Sequence, residues 1–146
     1  MDLIDFTIRL GAALLAGLFI GIERELRNKD AGVKTNALVS LGAAVFVMAS
    51  LHFQDFTGVD ITRVLGQVVT GIGFIGAGVI LHRGDTVQGL TTAATVWCSA
   101  GAGSLAAIGL FEELAVLSGM IIFVNVVFGA IDTFISRNVS DKSPED

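Results

Sequence analysis

The sequence predicts an all-α membrane protein, a polytopic helix bundle of about five transmembrane helices, with its amino terminus outside and its carboxyl terminus cytoplasmic. Three observations carry that reading. Hydrophobic residues make up 53% of the 146 and charged ones 16%, with mean hydropathy +0.76, too apolar to cover a water-soluble domain of this size. The charges cluster between long uncharged stretches instead of being spread along the chain. Those stretches approach the roughly 20 residues that cross about 30 Å of hydrocarbon.

The first span runs from Leu3 to Ile22, and its core LGAALLAGLFIGI is uncharged. It begins Met1-Asp2 and is followed by the basic stretch GIERELRNK, the reverse of a cleaved signal peptide, so it is retained and enters with the amino terminus outside. The second span covers residues 35–53, the third 64–82 with Gly and Thr interrupting it, the fourth 90–110 and the last 112–136. An odd number of crossings puts the termini on opposite sides. Arg24, Arg27, Lys29, Lys34, Arg83, Arg137 and Lys142 then share one side, against Arg63 alone in the opposite connections, which makes the first side cytoplasmic. Residues 1–136 form the transmembrane domain, and the polar stretch 137–146 is expected to be a short disordered cytoplasmic tail.

Small residues four apart mark close helix packing, because lipid offers no burial from water to drive association. The fourth span carries Thr91, Thr95, Ser99, Gly103 and Ala107 at that spacing, and the first carries Ala13, Gly17 and Gly21. The string GIGFIGAG contains Gly71, Gly73 and Gly76 in a literal GxGxxG, followed by Gly78. It is not a dinucleotide site, since it lies inside an apolar span and no acid follows between 90 and 100. Tight packing of these glycines is favoured over a pore-lining or re-entrant segment.

Polar groups within the spans need partners. Arg9 stands one turn after Asp5, a spacing suited to an ion pair. Ser118, Asn125 and Asp132 recur every seven residues, giving the last span one polar face turned inward or toward another subunit. Glu23, Arg24 and Glu25 read as a solvated interfacial cluster. Gln67, Thr70, Thr91 and Thr92 are neutral polar residues on the Gly-rich pair of spans.

Other chemistry is poorly represented. One Cys and one Pro exclude a disulfide scaffold, a cysteine-ligated zinc site and a Pro-rich disordered chain, and a net charge of −5 argues against nucleic acid. His52 and His82 sit at opposite membrane faces and cannot share an ion. Outer carboxylates attract cations, yet none lies near mid-membrane, so the residues assign no metal site. No catalytic triad, carboxylate pair or phosphate loop is present in the pattern, and the expectation is no enzyme and no cofactor.

Three stretches, GLFIGIERELRNKDAGVKTNALVSLGA (17–43), RVLGQVVTGIGFIGAGVIL (63–81) and VQGLTTAATVW (87–97), resemble the MgtC/SapB family of bacterial inner-membrane proteins. The resemblance implies a plasma-membrane protein of about five spans with a cytoplasmic carboxyl terminus. It implies functional positions at Glu23, Arg24, Thr35 and Asn36, at Arg63 and Gln67, and at Gly89, Leu90, Thr91 and Thr92. The family often has His where this chain has Asn36, a change that keeps hydrogen bonding and loses titration. Many relatives add a carboxyl-terminal ACT-like domain, and the expectation for this chain is the transmembrane domain alone. The implied role is regulation of magnesium or acid stress adaptation, intracellular survival and membrane energetics through other membrane proteins, such as ATP synthase or a transport ATPase, with self-association of the bundle in the lipid bilayer. The alternative is a small magnesium channel or transporter with its path between the third and fourth spans.

Overall fold

The computed structural model describes residues 1–57, 60–83 and 86–140. Among them the chain forms α1 (Leu3–Leu26), α2 (Val33–Leu51), α3 (Ile61–Val79), a hairpin of β1 (Leu81–Arg83) and β2 (Thr86–Gln88), α4 (Leu90–Ile108) and α5 (Phe111–Ser140). The protein is all-α apart from that hairpin. Four helices, α1, α2, α3 and α5 as far as Asp132, are long and apolar enough to cross a membrane. The chain is therefore a membrane protein.

Helix ends follow local chemistry. Asp2 caps α1, its carboxylate accepting the Asp5 amide at 2.7 Å. At the other end, Asn28 takes a left-handed conformation (φ 52), with Asn28 N–H on Glu25 O at 3.0 Å and Lys29 N–H on Arg24 O at 3.0 Å, a Schellman arrangement. The helix thus ends at Leu26, one turn beyond the expected Ile22, and carries Glu23 and Arg24 into the bundle. Gly32 offers α2 no capping side chain, and Glu25 supplies one from the preceding helix by accepting the Val33 amide at 3.1 Å. Asp60 caps α3 through the Thr62 amide at 3.0 Å.

The third span is shifted from its expected 64–82, because the chain turns into the hairpin after Val79. Gly89 explains the turn: it is left-handed (φ 89), and a Cβ there would lie 2.3 Å from Val79 O. The last helix continues past residue 136 to Ser140, while 141–146 of the expected tail, with Lys142, lie outside the described residues.

α1, α2 and α4 form the tight centre, with α3 laid against α4 and α2 and α5 against α1 and α4. The core joins Ala13, Ala16 and Ile20 to Ala44, Val47 and Met48, Ala102, Ala106 and Ala107, and Leu114 and Ile121. α4 falls outside the four most apolar helices for a physical reason. It is the central element, and its buried Thr92, Thr95, Ser99, Gly103 and Ala107 contact helices in place of lipid. A Cβ on Gly103 would lie 2.0 Å from Ser40 O, one on Gly17 2.6 Å from Asn36 O, and one on Gly21 2.5 Å from Val33 Cα, so these glycines permit the approach of α4 to α2 and of α1 to α2. A Cβ on Gly76 would lie 3.6 Å from Ala93 Cβ, while one on Gly71, Gly73 or Gly78 would meet nothing within 4 Å among the described residues. α3 is peripheral, with Gly76 its one buried residue among those described.

Candidate functional site

The termini of the helices sort into two ends. Met1 and Asp2 share a cavity wall with Met48 and His52, and Arg9 donates to Ala107 O at 2.6 Å, which places the start of α1 and the finish of α2 and α4 at one end. At the other end, a cavity of about 580 Å³ is lined from the first connection by Glu23, Arg24, Arg27 and 28–30, from the hairpin and the start of α4 by Val87 and 89–92, and from α5 by Val124, Asn125, Phe128, Gly129 and Asp132. The first connection, the hairpin with the start of α4, and the last turns of α5 thus converge there. These are the segments whose positive charge marked one side of the membrane.

Arg24 organises this end. It is 3% exposed, so the expected solvated cluster is corrected: Glu23 and Arg24 are buried and only Glu25 reaches the surface. A buried guanidinium persists only where its donors are satisfied. Nη2 donates to Thr92 Oγ1 at 2.6 Å, and Nη2 and Nε reach Asp30 O at 3.2 and 3.3 Å. α1 is thereby tied to α4 and to the loop ahead of α2. Glu23, one residue earlier, is 8% exposed and paired with Arg27, Nε to Oε1 at 3.1 Å.

Deeper in the bundle, Asn36 is fully buried. Its amide donates to Ala31 O and, at 3.0 Å, to Gly32 O, which holds the loop whose Ala31 is left-handed (φ 55). Ser99 Oγ lies 2.7 Å from Asn36 Oδ1 and 3.1 Å from Thr95 O, and Thr95 in turn donates to Thr91 O at 2.9 Å. Ser40 Oγ donates to Ala13 O at 2.7 Å. Hydrogen bonds of this kind substitute for the missing hydrophobic drive between membrane helices.

The motif positions therefore divide. Glu23, Arg24, Asn36, Gly89 and Thr92 meet at one end. Thr35 is half-buried on the first turn of α2, and Thr91 is exposed on the cavity rim. Arg63 lies at the opposite end, 85% exposed and only 3.8 Å from Asp60. Gln67 is exposed on the groove between α2 and α3. Arg9 is paired with Asp5 at 2.8 Å as its spacing predicts. The polar face of α5 looks inward: Asn125 and Asp132 line the cavity, and Ser118 Oγ and Asn125 Nδ2 are buried without a hydrogen-bond partner. Sequence reasoning missed Arg27, although its position four residues after Glu23 signals the pair, and it missed Asp30, which serves through a backbone carbonyl that no side-chain pattern reveals. Among the described residues, no three His, Cys, Asp or Glu side chains group to hold a metal ion.

The profile described as the MgtC family matches residues 10–134. The chain is 44% identical over 128 residues to the protein MgtC of Salmonella typhimurium, covering 87% of this chain and 54% of that one. It is 51% identical over 118 residues to the protein MgtC of Brucella abortus, covering 80% and 48%. It is 44% identical over 137 residues to an uncharacterized protein of Synechocystis, covering 94% and 58%. The chain spans about half the length of the curated relatives it matches. No solved structure matches.

Proposed function

The chain belongs to the MgtC family, and from that premise we propose that it is a multi-pass protein of the bacterial inner membrane that regulates adaptation to magnesium or acid stress and membrane energetics by engaging other membrane proteins. An ATP synthase or a transport ATPase is the class of partner that fits this role, and the bundle self-associates in the bilayer. The convergent end faces the cytoplasm, following the seven basic residues assigned to that side.

The observation that carries a regulator over a conduit is where the polar side chains go. A path for a hydrated cation needs polar groups in file across the membrane. Here Arg24, Asn36, Thr92, Thr95 and Ser99 are joined in hydrogen bonds that fasten α1, α2 and α4 to one another and to the loop ahead of α2. The seam between α3 and α4 encloses about 150 Å³ walled by Leu65, Val68, Val69, Ile72, Trp97, Ala100, Gly101 and Ser104, with neither Gln67 nor Thr91 on it. No chemistry of bond making is assigned to these groups.

Purified protein in liposomes tests the reading when run beside a crosslinking pull-down from membranes. Magnesium entry no faster than in empty vesicles, with a membrane protein captured by the pull-down, is the expected result. Magnesium flux abolished by Gln67→Ala or Thr91→Val would replace the regulator with a transporter.

A further inference from the structure

The end cavity contains a contradiction that ordinary helix packing does not resolve. Glu23 is 8% exposed and lines the cavity, yet neither carboxylate oxygen accepts a hydrogen bond, the Arg27 Nε contact at 3.1 Å being an ion pair outside hydrogen-bond geometry. Across the same cavity Asn125 Nδ2 is buried and donates to nothing. Buried polar groups without hydrogen bonds are costly, so a carboxylate offset by an ion pair alone and an amide donor with no acceptor, on one cavity, call for a molecule that supplies the complement of each.

Size and charge narrow its class. About 580 Å³ is room for an organic group, far beyond a bare ion, and the described residues hold no metal-ligand cluster. The wall carries Glu23, Asp30 and Asp132 against Arg24, Arg27 and Lys29, equal numbers of each sign, which favours a zwitterion over a net cation or anion. One lip is apolar and exposed, with Leu90 58%, Val124 45% and Phe128 55% exposed. A solute from water gains little from such a lip, whereas acyl chains lie naturally against it.

We propose that this cavity seats the headgroup of a zwitterionic phospholipid bearing a primary ammonium, of the ethanolamine type. Its N–H groups donate to Glu23, its phosphate faces Lys29 and Arg27, an oxygen accepts from Asn125, and its chains run over Val124 and Phe128. The site requires only that the bundle be embedded in a bilayer, and stands whether or not the protein regulates a partner.

The test varies the lipid before the protein. The full chain is loaded with phosphatidylethanolamine, its N-methyl and N,N-dimethyl forms, or phosphatidylcholine, all with the same chains, and the retained lipid is counted by native mass spectrometry. Retention falls with each lost N–H, by about tenfold across the series, since hydrogen bonds to a buried charge are the strong ones. Glu23→Leu, which removes both acceptor oxygens, flattens the series, with circular dichroism confirming that the variant is folded. Equal retention of ethanolamine and choline lipids by the unaltered protein would mean that no group in the cavity reads the ammonium N–H and would overturn the assignment. Stronger retention of phosphatidylglycerol would overturn it as well. Displacement of bound lipid by free phosphoethanolamine at matched concentration would transfer the site to a soluble zwitterion and remove the lipid from it.

Discussion

Replacing Gly103 with alanine probes the closest approach in the bundle. The new methyl would stand 2.0 Å from Ser40 O, 2.8 Å from Ser40 C and 2.9 Å from Ser40 Cα. All three are backbone atoms, so no rotamer change relieves the overlap. α4 and α2 must part by roughly 1.5 Å to restore a contact of about 3.5 Å. That displacement pulls on the Ser99 to Asn36 hydrogen bond, 2.7 Å long, which joins α4 to α2. Overpacking costs about 1–3 kcal/mol and one weakened hydrogen bond about 1 more, offset by about 0.5–1 kcal/mol of helix propensity. The net loss is about 1–3 kcal/mol, or roughly five- to 150-fold in the folding equilibrium. Gly71→Ala is the matched control, because nothing lies within 4 Å of its Cβ position, and it keeps the propensity gain. Both are measured by reversible unfolding in mixed micelles followed by circular dichroism. If the two variants shift stability equally, the contact between α2 and α4 is not as close as described.

Three further outcomes follow from the same geometry. Thr92→Val keeps the side-chain shape but removes the 2.6 Å acceptor of Arg24, costing about 1.5–3 kcal/mol, and a double-mutant cycle with Arg24→Met should return most of that as coupling energy. Asn36→Leu strips the Ala31 and Gly32 carbonyls and Ser99 of their partner, so amide exchange should rise at residues 31–37 while α5 keeps its protection. Thr62 donates to Asp60 from its side chain and its backbone and holds that carboxyl below its ordinary pKa, so the cap acts above the usual carboxylate range and is lost as pH falls through the lowered value. Exchange in the first turn of α3 should therefore increase on acidification, and should already be raised at neutral pH in Asp60→Ala.

Much of the architecture is legible in the residues, for reasons that differ by element. Bilayer thickness demands long uncharged runs, so α1, α2, α3 and α5 announce themselves, and a spacing of four residues marks Gly17, Gly21 and Gly103 as contact points. At Gly71, Gly73 and Gly78 the spacing names a smooth helix face that no other helix of this chain covers among the described residues. The hairpin between α3 and α4 is invisible to hydropathy, since Leu81 reads as the end of the third span and Val87 as part of a short connection. Glu23 and Arg24 look solvated by type. Only the fold brings Thr92, distant in sequence, within 2.6 Å of Arg24 and so makes burial tolerable. Asn36 meets Ser99 in the same way, through contacts that no local pattern encodes.

The convergence of three distant segments at one membrane face is tested most directly by thiol labelling. In a chain freed of its native thiol by Cys98→Ala, single substitutions Lys29→Cys, Val87→Cys, Asp132→Cys and Asp55→Cys place reporters at exposed positions. An impermeant maleimide applied to intact cells should reach the Asp55 position alone, and the other three only after the membrane is permeabilised. Labelling of the positions at 29, 87 and 132 from different sides would contradict the shared end on which the site and its proposed function stand.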